Sequence, residues 1–335
     1  MRRKCLFVVL KAGVSAALLA WLWSRFDLSA AFARIPDLEI APVAAAFLVL
    51  LLHGVLSAWR WRTIIRLQDG KLPWGDALRL FFIAMFFNQT LSTTVGGDAA
   101  RVWMLRADGT KLGTATAGIV LERIAGFLAL TPLILTGLML LPGAGQSALL
   151  ALLAVSVGLA LVILIGERFA KIRWRWLAWV GDAAQTARRI LLSAEGLLVL
   201  SQSLLIHLGA GAAVYLLALA ANASPGLLVC LALTPPVLLL ATFPITFGGW
   251  GLREAALMWL FAFFGIATAP ALTVSVTLGI LVMAAGLPGA VLWIIRGRTA
   301  RALSTPPRQT TSPHRPDAAP RAAAAPPSAG SPRQE

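Results

Sequence analysis

Two short stretches of the sequence place a glycine pair just ahead of an arginine. Gly96-Gly97-Asp98 is followed by Arg101, and Gly248-Gly249-Trp250-Gly251 is followed by Arg253-Glu254. Glycine lets the chain turn tightly and lets a ligand approach backbone N–H groups. A helix starting just behind such a turn offers a partial positive charge and free donors, which suit an anion. An arginine a few residues on adds a planar donor fork matched to phosphate. Each stretch is therefore a candidate phosphate-binding tip. The plainer alternative is that the glycines only make turns, with Arg253 and Glu254 engaged in packing or local ion pairing.

Glu122-Arg123 forms a third candidate. The pair lies about two turns into an apolar run, where ionisable side chains are costly unless they are paired or face a cavity. Glu122 is a natural partner for Arg101 or Arg253, and snorkelling to the membrane surface is the alternative. Polar lining is offered by Asn88, Gln89, Ser92, Thr93 and Thr94 around the first tip and by Thr246 at the second. Pro235, Pro236 and Pro244 break the second apolar stretch and free backbone carbonyls there. His53 and His207 lie in different apolar runs and read either as hydrogen-bonded packing residues or as proton carriers. No catalytic constellation, nucleotide loop, metal-ligand pattern or cofactor motif is present.

The elements that must hold these residues follow from composition. Of 335 residues, 59% are apolar and only 13% charged, against about a quarter charged in a soluble domain. Runs at 6–24, 40–59, 115–141, 147–166, 195–220 and 270–295 are each long enough to cross a bilayer core of roughly 30 Å. The first run has signal-peptide features but reads better as an uncleaved helix. Cys5 and Cys230 sit in apolar surroundings as small buried hydrophobes. The net charge of +15 speaks first to topology, not to nucleic acid. Residues 167–181 interleave tryptophans with cations and read as a membrane-surface helix. Residues 297–335 are rich in Pro, Ala, Ser and Arg and read as a disordered cytoplasmic tail.

Orientation depends on residues 76–105. A full crossing there would put Arg106, Lys111 and the basic loop at 168–189 outside, against the positive-inside bias. A hairpin that enters from the cytoplasm and returns leaves every basic cluster inside, including those around Arg60 and Arg101, with both termini cytoplasmic. Broken backbone at membrane depth is tolerated only where it is buried in protein or lines a cavity.

Residues 91–101 and 243–253 align at an offset of 152, with identities at Thr94/Thr246, Gly96/Gly248, Gly97/Gly249 and Arg101/Arg253. The same offset lays 40–59 on 192–211 and 115–141 on 267–293. Each half reads helix, interrupted hairpin, helix, and the two halves enter the membrane in opposite senses. The expected fold is an all-α polytopic membrane protein spanning residues 1–296. It has about six full crossings and two re-entrant hairpins, arranged as an inverted repeat of residues 40–141 and 192–293. That is the architecture of alternating-access transporters.

Three motifs in order, N-x-x-x-S-x-x-x-G-G-D-x-x-R at Asn88 to Arg101, L-E-R at Leu121 to Arg123, and P-x-x-x-G-G-x-G-x-R-E at Pro244 to Glu254, resemble the lysylphosphatidylglycerol synthase transmembrane-domain family. That family is related to the flippase half of multiple-peptide-resistance-factor proteins. The resemblance covers residues 5–296 and implies a multi-pass bacterial inner-membrane protein that moves a lipid between leaflets. The aminoacyl-transferase domain of the full synthase does not follow here, so lipid synthesis by this polypeptide is not expected. Family members often have Pro where this chain has Ser92.

Together these readings give a non-enzymatic lipid flippase. Gly96, Gly97, Asp98, Arg101, Glu122, Arg123, Gly248, Gly249, Arg253 and Glu254 hold the headgroup, and Asn88, Thr94, Thr246, His53 and His207 line its path. The expected partner is a phospholipid or an isoprenoid-linked phosphate, with no cofactor, metal or nucleic acid and with homo-oligomerisation left open. A membrane transferase acting on a lipid-linked phosphate and an accessory subunit of envelope assembly are the alternatives.

Overall fold

The computed structural model describes residues 28–90, 94–141, 143–165, 184–223, 225–241 and 250–304. The expected first crossing at 6–24, the surface helix at 167–181, most of the tail, and the tip residues Ser92, Thr93, Pro244, Thr246, Gly248 and Gly249 lie outside them. Residues up to Ile295 make one compact unit, and a separate one begins at Arg296.

After a short helix α1 (Leu28–Ala33), the described elements are α2 (Ile40–Arg66), α3 (Trp74–Thr90), α4 (Thr94–Ala107), α5 (Leu112–Leu140) and α6 (Gly143–Ile165). They continue with α7 (Ala194–Ala220), α8 (Leu227–Ala241), α9 (Leu252–Ala262) and α10 (Thr268–Ser304). Among the described residues, the helices of α2, α5, α6, α7 and α10 contain windows long and apolar enough to cross a membrane. They match five of the six crossings expected from sequence.

Apart from α1, the remaining helices named above form two packed pairs whose members are too short to cross singly. With 17 and 14 residues, α3 and α4 reach about 26 and 21 Å at 1.5 Å per residue. With 15 and 11 residues, α8 and α9 reach about 23 and 17 Å. All four fall short of a hydrocarbon core of roughly 30 Å. Within each pair the two helices pack on one another.

Long helices frame these pairs. Helices α2 and α7 have 27 residues each and pack along their length in antiparallel fashion. The Glu39 N–H donates to the Ala220 carbonyl at 3.4 Å, Val49 lies opposite Gly209, and Arg60 donates to Ser203 at 3.0 Å. As residue numbers rise on α2 they fall on α7. The start of α7 is set by Ser193, whose hydroxyl accepts the Gly196 N–H at 3.0 Å in place of an intrahelical partner.

Both α5 and α10 touch both short-helix pairs. On α5, Glu122 bonds to Arg101 of α4 and Gly137 lies against Leu233 of α8. On α10, Gly279 lies against Arg253 of α9 and Gly286 against the Met85–Phe86 backbone of α3. The largest apolar core joins α2, α5, α6, α7, α8, α9 and α10, with Leu217, Leu233, Phe261 and Cys230 fully buried.

Candidate functional site

The polar centre of the molecule forms where α2, α3, α4, α5, α7 and α8 meet. A cavity of about 360 Å³ there is lined by His53, Ser57 and Arg60 of α2, Phe81 and Asn88 of α3, Asp98 and Arg101 of α4, Glu122 and Arg123 of α5, His207 of α7 and Pro235 of α8, among others. Eight residues singled out in the sequence, Asn88, Asp98, Arg101, Glu122, Arg123, His53, His207 and Pro235, are thus brought to one space.

Glu122 is its hub. One carboxylate oxygen accepts from Arg60 at 2.8 Å and the other from Arg101 at 2.8 Å. Arg101 also donates to Asp98 at 2.6 Å, and Arg123 donates to the second Asp98 oxygen at 2.6 Å. Spacing explains this chain of charges. Asp98 and Arg101 are three apart on α4 and share a face, and α5 delivers Glu122 and Arg123 side by side. Arg60, Arg101 and Glu122 are all buried, and ionisable groups at such depth persist only when paired. The Arg101 guanidinium also lies 5.0 Å from the Trp61 ring and 5.1 Å from the Phe81 ring, which adds cation–π attraction. Both Arg60 Nε and Arg101 Nε are buried without a hydrogen-bond partner. The network therefore keeps donors unspent.

The first glycine pair does something other than expected. Helix α4 begins at Thr94, so Gly96 and Gly97 lie in its first turn and not in a loop ahead of it. The Gly97 N–H is already taken by Asn88 Oδ1 at 2.9 Å. A Cβ at Gly97 would run into the Ala84 carbonyl and the Asn88 side chain, so this glycine sets the close crossing of α3 and α4. Thr94 stands at the start of α4.

Arg253 and Glu254 are not among the residues lining this cavity. Glu254 accepts from its neighbour Arg253 at 2.6 and 3.0 Å, from Ser275 of α10 at 3.2 Å and from the Gly251 N–H at 2.6 Å. Arg253 stacks 4.6 Å from the Trp250 ring. Gly251 has φ 86°, a conformation that favours glycine, and it caps α9. Sequence reasoning offered Arg253 as a partner for Glu122, but Glu122 is held by Arg60 and Arg101.

Arg60 is the residue that sequence reasoning missed. The expected crossing stopped at residue 59 and assigned Arg60 to the cytoplasmic charge cluster, whereas α2 runs on to Arg66 and buries Arg60. A signal was present: His53, Ser57 and Arg60 recur at i, i+4 and i+7, which is one face of a helix. Ser203 and His207 on α7 repeat the i, i+4 step, and His207 Nε2 lies 2.9 Å from the Gly126 carbonyl of α5. Among the described residues no group of three His, Cys, Asp or Glu side chains could hold a metal ion.

The model of one protein family, the lysylphosphatidylglycerol synthase TM region, matches residues 8–289. No curated protein matches the chain.

Proposed function

Because the chain belongs to the lysylphosphatidylglycerol synthase TM-region family, we propose that it is a multi-pass inner-membrane lipid flippase that carries a phosphate-bearing headgroup through the cavity around Arg60, Arg101 and Glu122. The observation that carries this reading is the cavity itself. Three arginines and two carboxylates line one space between the membrane-length helices α2, α5 and α7 and the short helices α3, α4 and α8. Buried charges on that scale are expensive, and in membrane segments they mark substrate or ion paths.

In this proposal the Arg60 and Arg101 guanidiniums receive the phosphate oxygens, and Glu122 holds the two forks apart at a fixed spacing. Asp98 and Arg123 extend the polar track beside Asn88. The acyl or prenyl chains stay in the bilayer. Arg253 and Glu254 act as positioning residues that fasten α9 to α10.

Alternating access is supported by the arrangement of the elements. The antiparallel α2 and α7, of equal length, each precede a short-helix pair, and the long helices α5 and α10 that follow each touch both pairs. Two such units with opposite senses, meeting at a midplane site, make an inverted-repeat transporter. Thr246, Gly248 and Gly249 belong to the tip of the second pair in this reading, and the cytoplasmic placement of both termini rests on the distribution of Lys and Arg.

Native mass spectrometry of the purified full chain tests the headgroup site. Phosphate-bearing lipid should be retained by the wild type and lost from Arg101→Gln. Equal retention by a folded variant would contradict the assignment.

A further inference from the structure

The charge balance of the cavity says which headgroups it accepts, an inference that rests on the flippase reading above. Arg60, Arg101 and Arg123 bring three positive charges, and Asp98 and Glu122 bring two negative ones. One positive charge is left over. Every carboxylate oxygen already has a guanidinium partner: Arg60 and Arg101 on Glu122, Arg101 and Arg123 on Asp98. The Asn88 carbonyl oxygen is taken by the Gly97 N–H. The unpartnered charged groups are donors, the buried Nε groups of Arg60 and Arg101, beside one unpartnered neutral ring nitrogen, His53 Nδ1.

A phosphodiester supplies what this arrangement lacks, a single negative charge with several acceptor oxygens. An ammonium group meets the opposite situation. It would enter a space with net positive charge and find only neutral acceptors, such as the Ser57 hydroxyl and the His53 ring nitrogen, free of a partner.

We propose that the cavity selects lipids whose headgroup carries a phosphate and no ammonium, of the phosphatidylglycerol type, and rejects zwitterionic and aminoacylated phospholipids, with Arg60 as the residue that sets this preference. The size of the effect follows from Coulomb's law. A surplus unit charge about 6 Å from an ammonium, at an effective dielectric constant of about 20, disfavours it by roughly a hundredfold, and counter-ions reduce that toward tenfold.

The test uses the full chain in proteoliposomes with three probes labelled on the acyl chain: phosphatidylglycerol, phosphatidylethanolamine and lysyl-phosphatidylglycerol. Translocation of each is followed by chemical quenching of the outer leaflet. Phosphatidylglycerol should move at least about tenfold faster than either amine-bearing lipid. Arg60→Gln, which removes the surplus, should compress that ratio at least about fivefold, and Arg60→Lys should keep it. Equal or faster movement of the amine-bearing lipids by the wild type would overturn the selectivity and leave the flippase reading standing. No movement of any probe would overturn both. An unchanged ratio in a folded Arg60→Gln protein would overturn the role of Arg60. The wild-type comparison needs no variant to fold.

Discussion

Replacing Glu122 by Gln tests whether the cavity is held together by its charges. The side chain is 6% exposed and receives two guanidiniums, both at 2.8 Å. Glutamine keeps the shape but removes the charge and offers a single acceptor oxygen. Arg60 and Arg101, 8% and 4% exposed, would then face each other with reduced compensation. The cavity's surplus would rise from one positive charge to two. Breaking a buried pair by removing one partner costs about 3–5 kcal/mol, because the remaining charge is left uncompensated. Here two charges lose compensation, while Arg101 keeps Asp98, so the cost should fall within that range. Detergent-solubilised protein followed through thermal and denaturant unfolding gives the measurement. A double-mutant cycle with Arg60→Gln sharpens it, because removing both partners should cost about 1 kcal/mol or more less than the sum of the single changes. A folded Glu122→Gln protein within about 0.5 kcal/mol of wild type, with no coupling to Arg60, would refute the reasoning.

Other substitutions read separate parts of the account. Gly97→Ala should destabilise by about 1–3 kcal/mol through collision with the Ala84 carbonyl, seen as a lower unfolding midpoint. Asn88→Ala leaves the Gly97 N–H without its partner between packed helices and should cost about 1–3 kcal/mol by the same measurement. Gly251→Ala must adopt φ 86° with ψ −48°, outside the left-handed helical region, and should cost about 1–3 kcal/mol. Arg253→Gln strands the buried Glu254 charge and should lower stability by about 3–5 kcal/mol, while the lipid preference of the folded fraction, measured in proteoliposomes, stays that of the wild type.

What the sequence revealed and what it concealed divide along physical lines. Crossings were legible because a bilayer demands about twenty apolar residues in a row, and the runs at 40–59, 115–141, 147–166, 195–220 and 270–295 stand out accordingly. Charges inside such runs stand out because of their cost, which is how Glu122 and Arg123 of the cavity were singled out. Arg60 was not, because a cation near the end of an apolar run looks the same whether the helix stops before it or carries it inward. That is decided by packing against Ser203 and Glu122, contacts far away in sequence. The glycine pair at 96–97 posed a similar difficulty: glycine serves both loops and close helix crossings, and the nearby Ala84 carbonyl assigns Gly97 to the latter. The matched motif around Arg253 suggested equal roles for both halves, with local ion pairing as the alternative, and the structure pairs Arg253 with Glu254, one residue on.

Transport is tested most directly by movement of a labelled phosphatidylglycerol across proteoliposome membranes containing the full chain, with Arg101→Gln as the comparison. Outer-leaflet quenching should proceed to nearly complete loss of signal with wild type and stop near half with Arg101→Gln reconstituted at equal density. Near-half quenching with wild type, or nearly complete quenching with the variant, would contradict the claim that a lipid headgroup crosses through the arginine-lined cavity.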